Sequence, residues 1–205
     1  MSRRPVRAAS STQSEVRDED WYARRITGES HQQVAFVDVD MTEVVTESTV
    51  FDGCTFRGVR FNASRHSESA FLNCTFRSCT FFDTSFVRCK MVGSTFDRCT
   101  FSSLEAVGGD WSFVGLAGAD LRKVRFDGSR LREADLTDAR GDGMTLRDVD
   151  LTNAWLHGAD LSRADLRGAQ LATLDPSTVT LTGAVIGPEQ AVDIAEALGL
   201  DVRLD

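Results

Sequence analysis

Cysteine and histidine are the side chains in this chain whose chemistry could support a metal site or covalent catalysis. Five cysteines are present, at Cys54, Cys74, Cys79, Cys89 and Cys99. Their separations do not follow the ligand spacing of a zinc site, and the three histidines, His31, His66 and His157, are scattered. Neither a phosphate-binding GxxxxGK loop nor the elbow of a serine nucleophile occurs. We therefore expect no enzyme, no metal or other cofactor, and no small-molecule substrate.

The composition limits the cellular setting of the chain. Its 205 residues are 41% hydrophobic, which suits one domain with a real core. No stretch approaches the roughly 20 apolar residues of a membrane span, and residues 1–20 lack the apolar core of a signal peptide. An odd number of cysteines does not suit a secreted disulfide scaffold. We expect a cytoplasmic protein with reduced thiols and no membrane contact.

The charge of the chain bears on its partners. The net charge is -8, and direct binding of nucleic acid would instead need a surplus of Lys and Arg. Residues 36–126 carry eleven acids and ten bases, whereas residues 127–205 carry fifteen acids and seven bases. The acidity therefore lies in the C-terminal part and favours a basic protein partner over nucleic acid. The alternative is that the acids serve only solubility.

A five-residue period dominates the sequence from Phe36 to Ile186. Of the 31 positions in this series, 26 carry a large apolar side chain, and the residue two positions earlier is usually small. The period matches neither an α-helix nor a plain strand. If both positions point inward, the chain turns a corner every five residues and closes a square in twenty. This predicts an all-β fold, a right-handed quadrilateral parallel β-helix whose coils stabilise one another. The cysteines occupy the small inward position, where they would be inert packing atoms.

The period has irregular positions. Thr46, His66 and Ala106 replace large residues and differ by multiples of 20, which places them on one face. Residues 62–70 and 102–110 are candidate loops, with His66 and Gly108 as candidate contacts, because binding sites are often placed on loops of a rigid scaffold. The alternative is a tolerated irregularity with a hydrogen-bonded His66. We interpret a second break at residues 139–143 as a structural kink.

The two ends differ from the repeat. We predict that residues 1–30 form a flexible segment, disordered to about residue 20, with a possible cap for the first coil. Residues 31–186 form the β-helix, and residues 187–205 form a short C-terminal α-helix and tail. One face of this helix is apolar and either caps the chain's own last coil or pairs with a second copy. For a homodimer the candidate interface residues are Ala191, Ile194, Ala195, Leu198 and Leu200.

The triplets along the period resemble a known family. Ala-Asp-Leu at 119–121, 134–136, 159–161 and 164–166, and Cys-Thr-Phe at 54–56, 74–76 and 99–101, are similar to the signature of pentapeptide-repeat proteins. Residues 69–76, 91–96 and 189–192 resemble the fluoroquinolone-resistance type within that family. The resemblance implies a homodimeric DNA mimic that binds DNA gyrase, a type II topoisomerase, modulates supercoiling and protects against topoisomerase poisons. The alternative is an interaction scaffold with an unrelated protein partner.

The amount of charge limits this mimicry. The 31 repeats would make a rod of roughly 37 Å, and DNA of that length carries about 22 charges. Residues 36–205 supply only -9. The imitation can therefore be only local, near the centre of a dimer. The candidate partner-binding acids are Asp135, Asp138, Asp142, Asp148, Asp150, Asp160 and Asp165.

Overall fold

The computed structural model describes residues 14–203, which form a four-sided parallel β-helix closed by one α-helix. Successive coils are in register at a spacing of 20 residues, as Phe36, Phe56 and Phe76 show. The predicted fold class is confirmed. We number the faces in chain order by their first inward residue: face 1 from Val16, face 2 from Trp21, face 3 from Ile26 and face 4 from His31.

The strands are short because the chain turns after each one. In chain order the elements are β1 (Ser14–Arg17), β2 (Arg25–Thr27), β3 (Ser30–Gln32), β4 (Val34–Val37), β5 (Val45–Glu47), β6 (Val50–Asp52), β7 (Thr55–Arg57), β8 (Arg65–Ser67), β9 (Ala70–Leu72), β10 (Thr75–Arg77), β11 (Thr80–Phe82), β12 (Ser85–Val87), β13 (Thr95–Asp97), β14 (Thr100–Ser102), β15 (Leu104–Val107), β16 (Val124–Asp127), β17 (Thr145–Arg147) and α1 (Pro188–Ala197). Within residues 14–203, five strands lie on face 1, two on face 2, seven on face 3 and three on face 4.

Most coils bury the fifth residue and the small residue two positions before it. Phe76 and Cys74 are 0% and 1% exposed, and the Cys74 thiol donates to the carbonyl of Phe51 at 3.3 Å. Two residues after most inward residues the backbone takes a positive φ, even where the residue is not glycine, as at Asp38 (55°). This left-handed residue makes the corner tight enough to close the square.

The β-helix extends further toward the N terminus than we predicted. β1 pairs with β4 and β2 pairs with β5, and Trp21 and Ile26 are buried in the core. The predicted start at residue 31 is therefore wrong, and the described residues before it form strands rather than a flexible cap. Val16, Trp21 and Ile26 keep the period, but their charged neighbours hide it. The predicted disorder of residues 1–13 lies outside the described residues.

Face 3 contains the irregular column as predicted, but the two predicted loops are wrong. His66 lies in β8, 2% exposed, between Thr46 and Phe86. Its Nδ1 and Nε2 are 2.8 Å and 2.9 Å from the hydroxyl oxygens of Thr46 and Ser64. The alternative of a hydrogen-bonded His66 is confirmed. Gly108 is half-buried at an ordinary corner with φ 62°.

The predicted kink at residues 139–143 is also wrong, since the chain keeps its usual turn there. Space explains why glycine is accepted at the inward position. A Cβ on Gly141 would come within 2.5 Å of the Met144 sulfur. Met144 occupies a normally small position and fills the space that Gly141 leaves.

Helix α1 forms where the sequence predicts it and docks on the last coil through a polar residue. Gln190 is 6% exposed, and its amide nitrogen donates to the carbonyls of Leu166 and Ala169 at 2.6 Å and 2.8 Å. The backbone N–H of Gly187 donates to the Gln190 side-chain oxygen at 2.7 Å, which fixes the start of the helix. Ile194 packs half-buried against the core.

Candidate protein-binding surface

The structure does not bring the seven predicted aspartates together. Asp135 lies on face 1, Asp142 and Asp160 on face 2, Asp165 on face 3 and Asp150 on face 4. The other two, Asp138 and Asp148, occupy corners with positive φ. The set therefore surrounds the rod rather than forming one patch.

The aspartate that precedes an inward residue has a structural role. Its Oδ1 accepts a hydrogen bond from the backbone N–H two residues later and so stabilises the turn. Asp135, for example, accepts from the N–H of Thr137 at 3.1 Å. The aspartates that make this contact are Asp20, Asp40, Asp110, Asp120, Asp135, Asp150, Asp160, Asp165 and Asp175. Much of the acidity that the triplets carry is thus used within the fold.

Arginines neutralise three of the predicted acids. Asp150 is only 8% exposed and pairs with Arg132, and Asp142 pairs with Arg163. The Arg167 guanidinium hydrogen-bonds Asp165 and lowers the pKa of that carboxyl to about 2. These carboxylates are poor candidates for a basic partner because each already has a cation.

A smaller group of acids lies along face 1 and its corners, and none of its members is paired with an arginine in residues 14–203. Asp135 and Asp175 lie on face 1, two coils apart, with Asp138 and Glu133 at the flanking corners. None of the four makes a described ion pair. On face 1 the outward positions of these coils, 135–138, 155–158 and 175–178, contain no lysine or arginine. We call these four carboxylates the acidic surface.

Aromatic side chains accompany the acidic surface. Trp155 forms a bridge with Asp135 in the face 1 ladder and is 43% exposed. Phe113 lies at the corner that leads into face 1, one coil before the corner of Glu133, and it is 44% exposed. Exposed aromatic residues next to unpaired charges are typical of protein-binding surfaces. The surface therefore offers both apolar and negative contacts to a partner.

Glu133, Asp175 and Trp155 were not predicted as contact residues, whereas acids on the other faces were. The sequence contained the information needed to find them, because residues whose numbers differ by a multiple of 20 lie on the same face. That assignment also separates the outward positions that carry arginine from those that do not.

The predicted dimer residues divide into two groups. Ile194 and Ala195 are half-buried, whereas Ala191 is exposed and Leu198 and Leu200 are 58% and 62% exposed. Val185, on the last coil, is 46% exposed. The end of the rod therefore carries apolar side chains that the helix does not cover.

Two negative findings apply to residues 14–203. They contain no group of three His, Cys, Asp or Glu side chains arranged to hold a metal ion. No helix among them has the length and apolar character needed to cross a membrane.

Two family models match separate parts of the chain. The model for the SV2A/B/C luminal domain matches residues 25–101, and the model for pentapeptide repeats matches residues 115–140 and 146–172. The pentapeptide repeat protein MfpA of Mycobacterium tuberculosis is 39% identical over 93 residues, covering 45% of this chain and 51% of MfpA. The match thus spans about half the length of that relative.

Solved structures of QnrB1, a plasmid-mediated fluoroquinolone resistance protein, share the fold. A trypsin-treated form has a TM-score of 0.56 at 19% identity and covers 90% of this chain and 99% of its own. The full-length form has a TM-score of 0.54 at 20% identity, with 91% and 98% covered. The coils matched as pentapeptide repeats continue, in register, the coils before them. Residues 115–140 and 146–172 therefore resemble the pentapeptide-repeat family, and the chain is similar to MfpA and shares the fold of QnrB1.

Proposed function

We propose that this protein is a non-enzymatic, cytoplasmic DNA mimic that binds DNA gyrase through the acidic surface, modulates supercoiling and protects gyrase from quinolone-type poisons. The observation that carries the proposal is a group of four carboxylates on a rigid rod, none of which forms an ion pair within residues 14–203. The fluoroquinolone resistance named for QnrB1 supports the choice of partner.

The magnitude of the charge supports a local imitation. Asp135 and Asp175 lie two coils apart, which is about 10 Å. DNA carries about six charges over that length. The acidic surface supplies four, so it matches DNA better than the whole rod does. Attraction between such a surface and a basic DNA-binding groove raises the association rate and weakens as salt rises.

The alternative function is a scaffold that binds an unrelated protein. The exposed Trp155 favours it, because a large aromatic residue supplies binding energy that does not depend on resemblance to DNA. A DNA mimic loses its partner when the carboxylates are neutralised, whereas a scaffold centred on Trp155 loses it when the indole is removed.

The test neutralises the acidic surface with Glu133→Gln, Asp135→Asn, Asp138→Asn and Asp175→Asn. Asparagine keeps the Oδ1 acceptor that stabilises the turns at Asp135 and Asp175. The matched control removes four charges elsewhere that make no described ion pair: Asp18→Asn, Asp38→Asn, Glu47→Gln and Asp52→Asn. Gyrase binding and supercoiling are measured with and without a quinolone, at low and high salt.

We expect the quadruple variant to bind gyrase at least about tenfold more weakly at low salt and to lose most of the salt dependence. The control should behave as wild type. A folded quadruple variant with wild-type effects would exclude acidic mimicry. No binding of gyrase by the wild-type protein would favour the scaffold function.

We also propose a homodimer through the exposed apolar end of the rod. Leu198→Asp combined with Leu200→Asp should convert a dimer into a monomer, because each change places a charge on a surface that a second copy would bury. Phe82→Asp is the control, since Phe82 is 60% exposed but lies on face 2. Light scattering measures the mass, and an unchanged dimer in the double variant would contradict the interface.

A further inference from the structure

The ladder on face 2 is interrupted between two coils. Elsewhere on this face the N–H of Thr100 donates to the carbonyl of Cys79, and the N–H of Leu121 donates to that of Arg140. Among the described residues, no backbone hydrogen bond joins residues 98–103 to residues 117–123. β14 pairs with β11 alone and is therefore an open edge strand.

Side-chain exposure shows the same opening. Cys99 and Ala119 occupy the small inward position, where the corresponding Cys79 is 0% exposed, yet both are half-buried. Between the two coils lies a cleft of about 650 Å³, lined by β14, Cys99, Asp120, Arg122, Lys123 and Arg140.

The backbone departs from its pattern at the cleft. From residue 18 to residue 168, each corner residue two places after an inward residue has a positive φ except Lys123. The departure coincides with a change in the core, where Phe101 is followed one coil later by Leu121. The spacing of the phenylalanine column widens from 5.0 Å between Phe61 and Phe81 to 5.4 Å between Phe81 and Phe101. On face 2 the change from an aromatic to an aliphatic inward residue thus coincides with the gap in the ladder.

The charge of the lining is opposite to that of the protein. Arg122 and Arg140 both hydrogen-bond Asp120, and the pKa of Asp120 is lowered to about 2 by the Arg122 contact. Lys123 is exposed and forms no described ion pair. The lining contains one acid, Asp120, and three cations, Arg122, Lys123 and Arg140. The cleft is therefore positive, although the chain has a net charge of -8.

We propose that this cleft binds an extended acidic peptide segment of a partner protein by strand addition to β14. The main chain of the segment pairs with the free backbone groups of the cleft, and its carboxylates contact Lys123 and the two arginines. This binding site goes beyond the proposed gyrase function, since it selects the opposite charge and lies on another face.

The free backbone groups of the cleft suit a peptide ligand better than a simple anion. The free groups include donors, the N–H of Phe101 and of Ser103, and acceptors, the carbonyls of Cys99 and Asp120. Phosphate has mostly acceptor oxygens, and its few O–H groups cannot present donors and acceptors alternately along a strand as a peptide main chain does. An extended main chain offers both kinds of group at the spacing of a ladder.

The experiment uses the full chain and three capped hexapeptides. The first alternates Glu and Val, the second alternates Lys and Val, and the third is the Glu–Val peptide with alternate backbone nitrogens methylated. Binding is measured by fluorescence anisotropy, and the rate of Cys99 alkylation by iodoacetamide is measured by mass spectrometry. Lys123→Ala is compared with Lys90→Ala, because Lys90 is the other lysine of the chain and lies in an intact part of face 4.

We expect Cys99 to be alkylated faster than Cys79 in the free protein, and the Glu–Val peptide to slow that reaction at least fivefold. Lys123→Ala should weaken peptide binding about tenfold, as expected for one charged hydrogen bond, and Lys90→Ala should not. The proposal is overturned if Cys99 is as protected as Cys79, or if the Glu–Val peptide does not bind. Equal binding of the methylated peptide, or equal protection by inorganic phosphate, would show an anion site instead of strand addition.

Discussion

At the scale of single residues, His66 shows how the core accepts a polar side chain. Its ring stacks on Phe86 with centroids 4.7 Å apart, and both ring nitrogens have hydroxyl partners. Burial lowers the pKa of His66 to about 3, with a smaller effect from Arg65. The ring is therefore neutral in the folded protein at pH values where it is charged in the unfolded chain.

This difference predicts a pH-dependent stability. Between the unfolded pKa of about 6.5 and the folded value, the unfolded chain binds one more proton at this site, so stability falls as pH falls. The expected loss is about 1.4 kcal/mol per pH unit from pH 6.5 to 4.5. In His66→Phe the free energy of unfolding, measured with urea, should have a clearly smaller slope. His31 contributes equally to both proteins, and an unchanged slope would contradict a neutral His66.

At the scale of elements, the columns of stacked side chains hold the coils together. On face 1 the rings of Phe36, Phe56, Phe76 and Phe96 stack at 5.0, 4.8 and 4.6 Å. Phe76→Ala should destabilise the protein by about 3–5 kcal/mol, because truncation leaves a cavity between two rigid rings. Phe82→Ala, at an exposed position, should change stability little. Thermal unfolding measures both, and an unaltered melting temperature in Phe76→Ala would refute the inward position.

Helix α1 depends on Gln190 for its position. Gln190→Ala leaves the carbonyls of Leu166 and Ala169 without their donor, and a lost buried partner costs about 1–3 kcal/mol. We expect the amide hydrogens of α1 to exchange faster, while those of β10 keep their protection. Glu196→Ala, on the exposed side, is the control. Unchanged exchange in α1 would show that Ile194 alone holds the helix.

The helix also shows what sequence can and cannot predict at this scale. Pro188 and Gly199 predict where α1 lies, because both punctuate helices through the backbone itself. The docking contact was missed because the apolar residues of the helix were expected to cover the coil. A polar side chain makes it instead, by matching the carbonyls that the last turns leave open.

At the scale of the whole molecule, the five-residue period predicted the fold because the corners of the backbone and the residues that fill the core both recur every five positions. The irregular positions were harder to interpret, because the space at Gly141 is filled by Met144, which occupies a different position of the period. The acidic surface depends on which outward acids have an arginine within reach. Whether an acid is paired with an arginine is decided by the stacking of neighbouring coils, as in the pair of Arg163 with Asp142.

The interrupted ladder on face 2 also makes the rod mechanically uneven. Coils of a solenoid carry an axial load in series, so the weakest junction yields first and the stronger ones stay closed. This junction lies between a phenylalanine-rich stack and a leucine-rich stack, close to where one family match ends at residue 101 and the next begins at residue 115. Under tension the protein would behave as two stiff segments joined by a compliant link, and the rod would bend or part there while each segment kept its core.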